Sequence, residues 1–158
     1  MTDMLVRLYD LPDSAAYRAR LDDLGVVVRR AMSYDKRTVV KWVMATFGEG
    51  WTSECEAAFA NQPVTCFLAL EAGSVIGFAC YDATCRDFFG PAGVDETRRG
   101  RGIGAALLLS CLEAMRSEGY AYAIIGGVGP QEFYTRVAGA TVIPNSSPGV
   151  YRDLLCTN

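Results

Sequence analysis

Residues 94–107 read VDETRRGRGIGAAL: an apolar stretch ends, a turn with three arginines and three glycines follows, and a long apolar helix begins. A helix start leaves about four backbone N–H groups without intrahelical partners, and the macrodipole adds roughly half a positive charge there. Gly100, Gly102 and Gly104 have no side chains to hold an anion away from those N–H groups. The segment predicts a strand–turn–helix unit that cradles a diphosphate.

Spacing narrows which diphosphate. A dinucleotide fold asks for G-x-G-x-x-G/A between a strand and a helix, with an acidic residue about 20 positions on. Counting from Gly100 places Ala105 in the last position, which is permitted. The next apolar run, 120–126, continues into glycine and valine and has no carboxylate to hold a ribose. A phosphate loop of the G-x-x-x-x-G-K-[ST] kind is excluded, because no Gly-Lys pair occurs in the chain.

What does match is R-x-x-G-x-G, carried by Arg99, Gly102 and Gly104, with Val94 closing the strand before it and Ile103–Leu109 opening the helix. This resembles the GNAT acetyltransferase family, in element order from about Val26 to Val142. The resemblance implies that the loop N–H groups hold the pyrophosphate of acetyl-CoA and that the preceding strand pairs with the pantetheine arm. The positions carried over as cofactor-binding are Val94, Arg99, Gly100, Arg101, Gly102, Ile103, Gly104 and Ala105. The plainer alternative is an ordinary glycine-rich strand-to-helix turn. The first 24 residues match no family feature.

A length of 158 residues, 51% of them apolar, suits one soluble domain with a single core. The N-terminus lacks a basic start followed by an apolar core, and no apolar run is long enough to span a bilayer, so a cytoplasmic location without membrane contact is expected. A net charge of −3 leaves the three arginines near Arg98 acting locally and argues against nucleic acid as a partner. The six cysteines form no C-x-x-C pair and are expected reduced and buried. There is no histidine, which removes Ser-His-Asp and Cys-His chemistry, and the cysteine spacing argues against zinc, so no metal is expected.

Along the chain, Met4–Tyr9 is expected as a strand, and Asp13 caps a helix from Ser14 to Leu24 that stops at Gly25. Val26–Arg30 is a strand; Ser33 caps a helix through Phe47; and Ser53 with Glu56 forms a capping-box pattern for a second helix reaching about Asn61. Residues 65–70 and 74–81 are expected to pair as an antiparallel hairpin. Residues 86–94 contain Gly90 and Pro91 and are expected as a bulged strand, the geometry that in GNAT proteins leaves room for the thioester. The helix from Ile103 ends near Gly119, a strand covers 120–126, a short helix follows Pro130, and 140–143 and 149–155 close as two strands. The expected fold is a single-domain α/β, GNAT-like architecture: a mixed, mostly antiparallel sheet with a bulged central strand and helices on both faces. Residues 1–25 are expected as an N-terminal extension and 26–158 as the acyltransferase domain. That extension is open to covering the acceptor site or supporting a homodimer.

Acyl transfer from a thioester to an amine needs a neutral nucleophile, stabilisation of the oxyanion and a proton for the departing thiolate. Tyr134 is the candidate for the last, since Phe133-Tyr134 followed by a glycine resembles the GNAT tyrosine that faces the CoA sulfur. The match is irregular: Gly139 lies five positions on rather than four, and Val128 stands where the family often has asparagine. An amine of reference pKa about 10.4 calls for a carboxylate acting directly or through water. The candidates are Glu54, Glu56, Asp82 and Asp87. Glu56 is accounted for by the capping pattern and the aspartates by a turn; Glu54 remains favoured, with Trp51 beside it as an apolar wall.

The resulting expectation is an N-acetyltransferase moving acetyl from acetyl-CoA to a primary amine, a small molecule or peptide. The alternatives are a CoA-binding sensor without catalysis, or an acyltransferase of the same fold with another donor or an O-acceptor.

Overall fold

In the computed structural model, which describes residues 1–155, one seven-stranded sheet organises the chain. Its strands are β1 (Thr2–Arg7), β2 (Val26–Arg30), β3 (Cys66–Glu71), β4 (Ser74–Tyr81), β5 (Phe88–Val94), β6 (Tyr122–Val128) and β7 (Thr141–Val142), in the spatial order β2-β3-β4-β5-β6-β1-β7. Every neighbouring pair is antiparallel except β5 and β6. The helices are α1 (Ala15–Asp23), α2 (Lys36–Phe47), α3 (Glu49–Ala60), α4 (Ile103–Ser117) and α5 (Gln131–Ala138). The mixed, mostly antiparallel α/β sheet expected from the sequence is what forms.

Alternation along the strands divides the core. Ala69, Ala79 and Tyr81 face α4, with α1 and α5 beside it; Cys66, Leu68, Phe78 and Cys80 face Val39 and Val43 of α2 and Cys55 and Phe59 of α3. Helices therefore cover both faces. Helix α4 buries Ile103, residues 105–109, Cys111, Leu112 and Met115, because it lies on the sheet with further elements on its flanks. Fully burying each leucine there contributes about 1.5–3 kcal/mol. Ala72 and Gly73 both have positive φ (48° and 79°), the two-residue turn that matches strand twist and sets Glu71 opposite Ser74.

The bulge is at Gly90-Pro91. Ala79 pairs with Ala92 and Tyr81 with Phe89, so two residues of β5 span what one residue of β4 spans. Segment 1–25 supplies β1 and α1, and the sheet takes β1 in between β6 and β7. Asp13 Oδ1 accepts the Ala15 N–H at 3.0 Å, the cap expected of it.

Four local expectations are corrected. Ser33 does not cap α2; Asp35 does the local work, accepting the Met32 N–H at 2.8 Å and both Arg29 guanidinium nitrogens at 2.7 and 3.0 Å. Helix α3 starts at Glu49 on Gly48, so Ser53 lies inside it and donates back to the Glu49 carbonyl at 3.2 Å; Glu56 is exposed. Strand β6 begins two residues later than expected, because the Tyr120 N–H donates to the Met115 carbonyl at 3.2 Å and belongs to the end of α4. Residues 149–155 are not a strand: Gly149–Tyr151 is a 3-10 turn, and positive φ at Gly149 (59°) and Asp153 (60°) breaks the extended run.

Cys55, Cys66, Cys80, Cys85 and Cys111 are free thiols, and Cys85 is only half-buried; Cys156 lies outside the described residues. Sequence spacing missed that Cys55, Cys66 and Cys80, from three elements, place their sulfurs within 4.8 Å of one another in the core. Among the described residues no helix is long and apolar enough to cross a membrane.

Candidate active site

Strands β5 and β6 pair only at Phe88 with Ile124 and Phe89 with Ile125, and past the bulge they part. The gap opens a cleft of about 890 Å³ between residues 90–94 of one strand and 125–129 of the other. Gly126 must lack a side chain: a Cβ there would stand 2.5 Å from the Tyr151 hydroxyl and 2.8 Å from Phe88. Gly93 is equally constrained by the Phe47 ring, whose Cζ would be 2.5 Å away.

The arginine–glycine loop closes one end of the cleft. Gly102, in the left-handed region at φ 85°, stands at the N-cap of α4, and its carbonyl accepts the Ala106 N–H at 3.1 Å. The backbone N–H groups of residues 100–105 have no partner among the described residues, so a continuous row of donors is left for an anion. Val94, Arg99, Gly100, Gly102, Ile103, Gly104 and Ala105 all line the cleft.

Arg101 differs. Its guanidinium is 3.2 Å from Glu71, which Arg98 also holds at 2.7 Å, and its side chain does not line the cleft. Arg98 is thus tied to the end of β3, and it also lines the cleft. The cation supply comes partly from elsewhere: Arg20 of α1 lines the cleft and donates to the Gly100 carbonyl at 3.3 Å, and Arg136 of α5 lines it too. Neither has a carboxylate partner among the described residues. Sequence reasoning missed both. The available signal was Tyr17 and Arg20, three apart on one helix face; both flank Gly102 within 4 Å of where its Cβ would be.

Tyr134 lies on α5 against Phe133 (ring centroids 5.0 Å) and Phe89 (6.3 Å) and lines the cleft. Its hydroxyl has no partner among the described residues, and burial pushes its pKa up, keeping it a neutral phenol. The five-residue step to Gly139 has a structural reason. Gly139 takes φ 64° as the cap, with the Ala140 N–H donating to the Tyr134 carbonyl at 3.3 Å and the Gly139 N–H to Thr135 at 3.0 Å.

Glu54 lines the other end, half-buried, and is the one carboxylate among the described cleft-lining residues. It accepts a hydrogen bond from the Thr84 hydroxyl. Burial, and then the Glu54 charge, raise the pKa of Tyr151, which stands across from it. The other base candidates lie off the cleft. Asp82 accepts the Tyr120 hydroxyl and the Asp87 N–H, both at 2.7 Å, and Asp87 has a buried oxygen without a partner.

A fungal multi-domain GH3 β-N-acetylglucosaminidase contains a GCN5-related glucosamine N-acetyltransferase region similar in fold to this chain, with TM-score 0.75 and 17% identity over 90% of this chain and 19% of that one. A GCN5-related N-acetyltransferase from Sphaerobacter thermophilus matches with TM-score 0.68 and 22% identity over 90% and 48%. One from Kribbella flavida matches with TM-score 0.56 and 16% identity over 89% and 53%. The chain thus spans about half or less of the length of these structures. No curated protein matches it. The family model described as Acetyltransferase (GNAT) family matches residues 36–139, well over half of the sequence, including the β5–α4 loop and Tyr134. The chain therefore belongs to the GNAT acetyltransferase family.

Proposed function

We propose that the protein transfers an acetyl group from acetyl-CoA directly to a primary amine. The observation that carries this is the row of unpartnered N–H groups from Gly100 to Ala105 beside a splayed strand pair. A pyrophosphate fits those donors, and Arg20, Arg99 and Arg136 supply charge at the rim. Beyond Phe89 the β5 edge facing β6 is unpaired, which leaves backbone groups for an extended pantetheine arm and an N–H for the oxyanion.

Acetyl-CoA supplies the acyl carbon: the amine nitrogen bonds to it as the carbon–sulfur bond breaks. Tyr134 gives its phenolic proton to the departing thiolate, a role suited to a hydroxyl held neutral by burial and free of other partners. Glu54 holds the incoming ammonium; the nitrogen loses one proton before it attacks and a second after, to Glu54 or through water, one of the two restoring the Tyr134 phenol through solvent and the other released. No covalent enzyme intermediate is needed.

The test is a thermal-shift titration with acetyl-CoA and CoA against ATP and NADH, followed by thiol release with amines. At about 100 times Kd one ligand stabilises by about 2.7 kcal/mol, several degrees for a chain of this size. A CoA-selective shift with amine-dependent thiol release is expected. An equal shift with ATP or NADH, or none, overturns the reading, and CoA binding without thiol release on any amine leaves a binding module instead.

A further inference from the structure

We infer that the acceptor is a small primary monoamine carrying a flat aromatic group, an arylalkylamine, with its ring on the Phe47–Trp51 surface that Phe78 backs and its ammonium at Glu54. This rests on the acyltransferase function proposed above and names its substrate class.

The cleft is chemically polarised. Arg98 and Arg99 line it from the loop, Arg20 from beside the loop and Arg136 from α5, whereas Glu54 is the one carboxylate among the described residues that line it. Around Glu54 the surface is aromatic. The Phe47 and Trp51 rings lie 4.9 Å apart and tilted by 34°, and Phe78 is 5.7 Å from Phe47 and 6.2 Å from Trp51. Phe78 is fully buried whereas Trp51 is 38% exposed, so the wall runs from the core to an open tryptophan face that a ligand can cover. It also reaches the reacting end, because Gly93 lets the Phe47 ring lie directly on β5.

Ring and carboxylate are set at a fixed separation. Trp51 and Glu54 are three apart on α3, which puts their Cβ atoms about 5–6 Å apart on one face and suits a two-carbon link between ring and ammonium. The Thr84 hydroxyl holds Glu54 Oε1, while Oε2 has no partner among the described residues.

Other acceptors fit less well. A polyamine would bring second and third cations into a cleft with one carboxylate, leaving desolvated charge unpaired. An amino sugar would bring hydroxyls, and the faces of the Phe47 and Trp51 rings offer them no acceptors.

The experiment measures kcat/KM by thiol release for 2-phenylethylamine, n-butylamine, spermidine and glucosamine at saturating acetyl-CoA, with CoA-dependent thermal stabilisation recorded alongside. The expected result is 2-phenylethylamine ahead of each of the others by about tenfold or more. Trp51→Ala should bring 2-phenylethylamine down toward n-butylamine, and Trp51→Phe should keep the order, both with CoA stabilisation retained as the check on folding. Spermidine or glucosamine as the best acceptor, or equal values for all four, overturns the inference while acyl transfer stands. Loss of CoA-selective stabilisation in the unaltered protein overturns the function beneath it.

Discussion

Replacing Tyr134 by phenylalanine separates chemistry from structure cleanly. The hydroxyl has no partner among the described residues, so its removal orphans no buried donor or acceptor, and the ring keeps its edge contacts with Phe133 and Phe89. Stability should therefore change by no more than about 0.5 kcal/mol, and CoA-dependent stabilisation should persist. Turnover should not persist, because a general acid is typically worth 10² to 10⁴-fold, about 3–5 kcal/mol of barrier. A fall in kcat of at least roughly tenfold, the low side of that range, is expected when thiol release is followed at saturating acetyl-CoA and amine. Since burial raises the Tyr134 pKa, the phenol stays protonated through neutral and mildly alkaline pH, and kcat should show no loss from its ionisation there. Unchanged kcat in the variant, or a loss matched by lost CoA binding, would refute the assignment of Tyr134 as the proton donor.

Gly102→Val forces a β-branched residue into φ 85°, costing about 1–2 kcal/mol or more, and should weaken CoA binding in a thermal-shift titration more than Arg98→Ala, whose guanidinium is engaged with Glu71. Equal effects would argue against close backbone approach at Gly102. Asp87→Asn should stabilise the fold at neutral pH. Burial, then the Asp82 charge, raise the folded-state pKa of Asp87, so its ionisation penalises the fold as pH rises from the unfolded-state value through the folded one. The gain in melting temperature should vanish below about pH 4, where the carboxyl is protonated in both states; a gain independent of pH would refute this cause. Asp35→Ala should cost about 1–3 kcal/mol by releasing Arg29 and the Met32 N–H. The Arg29 hydrogen bonds hold the Asp35 carboxyl below the ordinary carboxylate range, so that stability is present above the unfolded-state pKa and lost as pH falls through the folded one. Urea titrations at pH 7 and pH 3 would check it, a constant difference counting against the ion pair.

Where the sequence was legible, the cause was local. The 72–73 turn, the end of α4 before a positive-φ Gly119 and the bulge at Gly90-Pro91 each follow from one or two residues whose backbone preferences admit few alternatives. Ser53 with Glu56 misled because the same pair reads as a cap or as mid-helix residues, and only packing of Trp51 and Thr52 against neighbouring elements starts α3 earlier. The closing strand at 149–155 failed for a related reason. Of the apolar residues there Tyr151 packs over Gly126 and Gly127, while Val150, Leu154 and Leu155 are exposed and join no ladder.

The sequence by itself determined the strand–turn–helix cradle, since the donors at a helix start are a consequence of i to i−4 hydrogen bonding and the glycines only uncover them. It also determined the exclusion of histidine chemistry. Tertiary structure alone decided which charges reach the cleft. Arg20, Arg98, Arg99 and Arg136 line it from three places in the chain, Arg98 while paired with Glu71, whereas Arg101 is held by Glu71 off the cleft. It likewise made Glu54 the lone carboxylate among the described lining residues and set Cys55, Cys66 and Cys80 together. Hydrophobic periodicity encodes which face of an element is buried, but the partner of a given side chain depends on how faces distant in sequence are brought together.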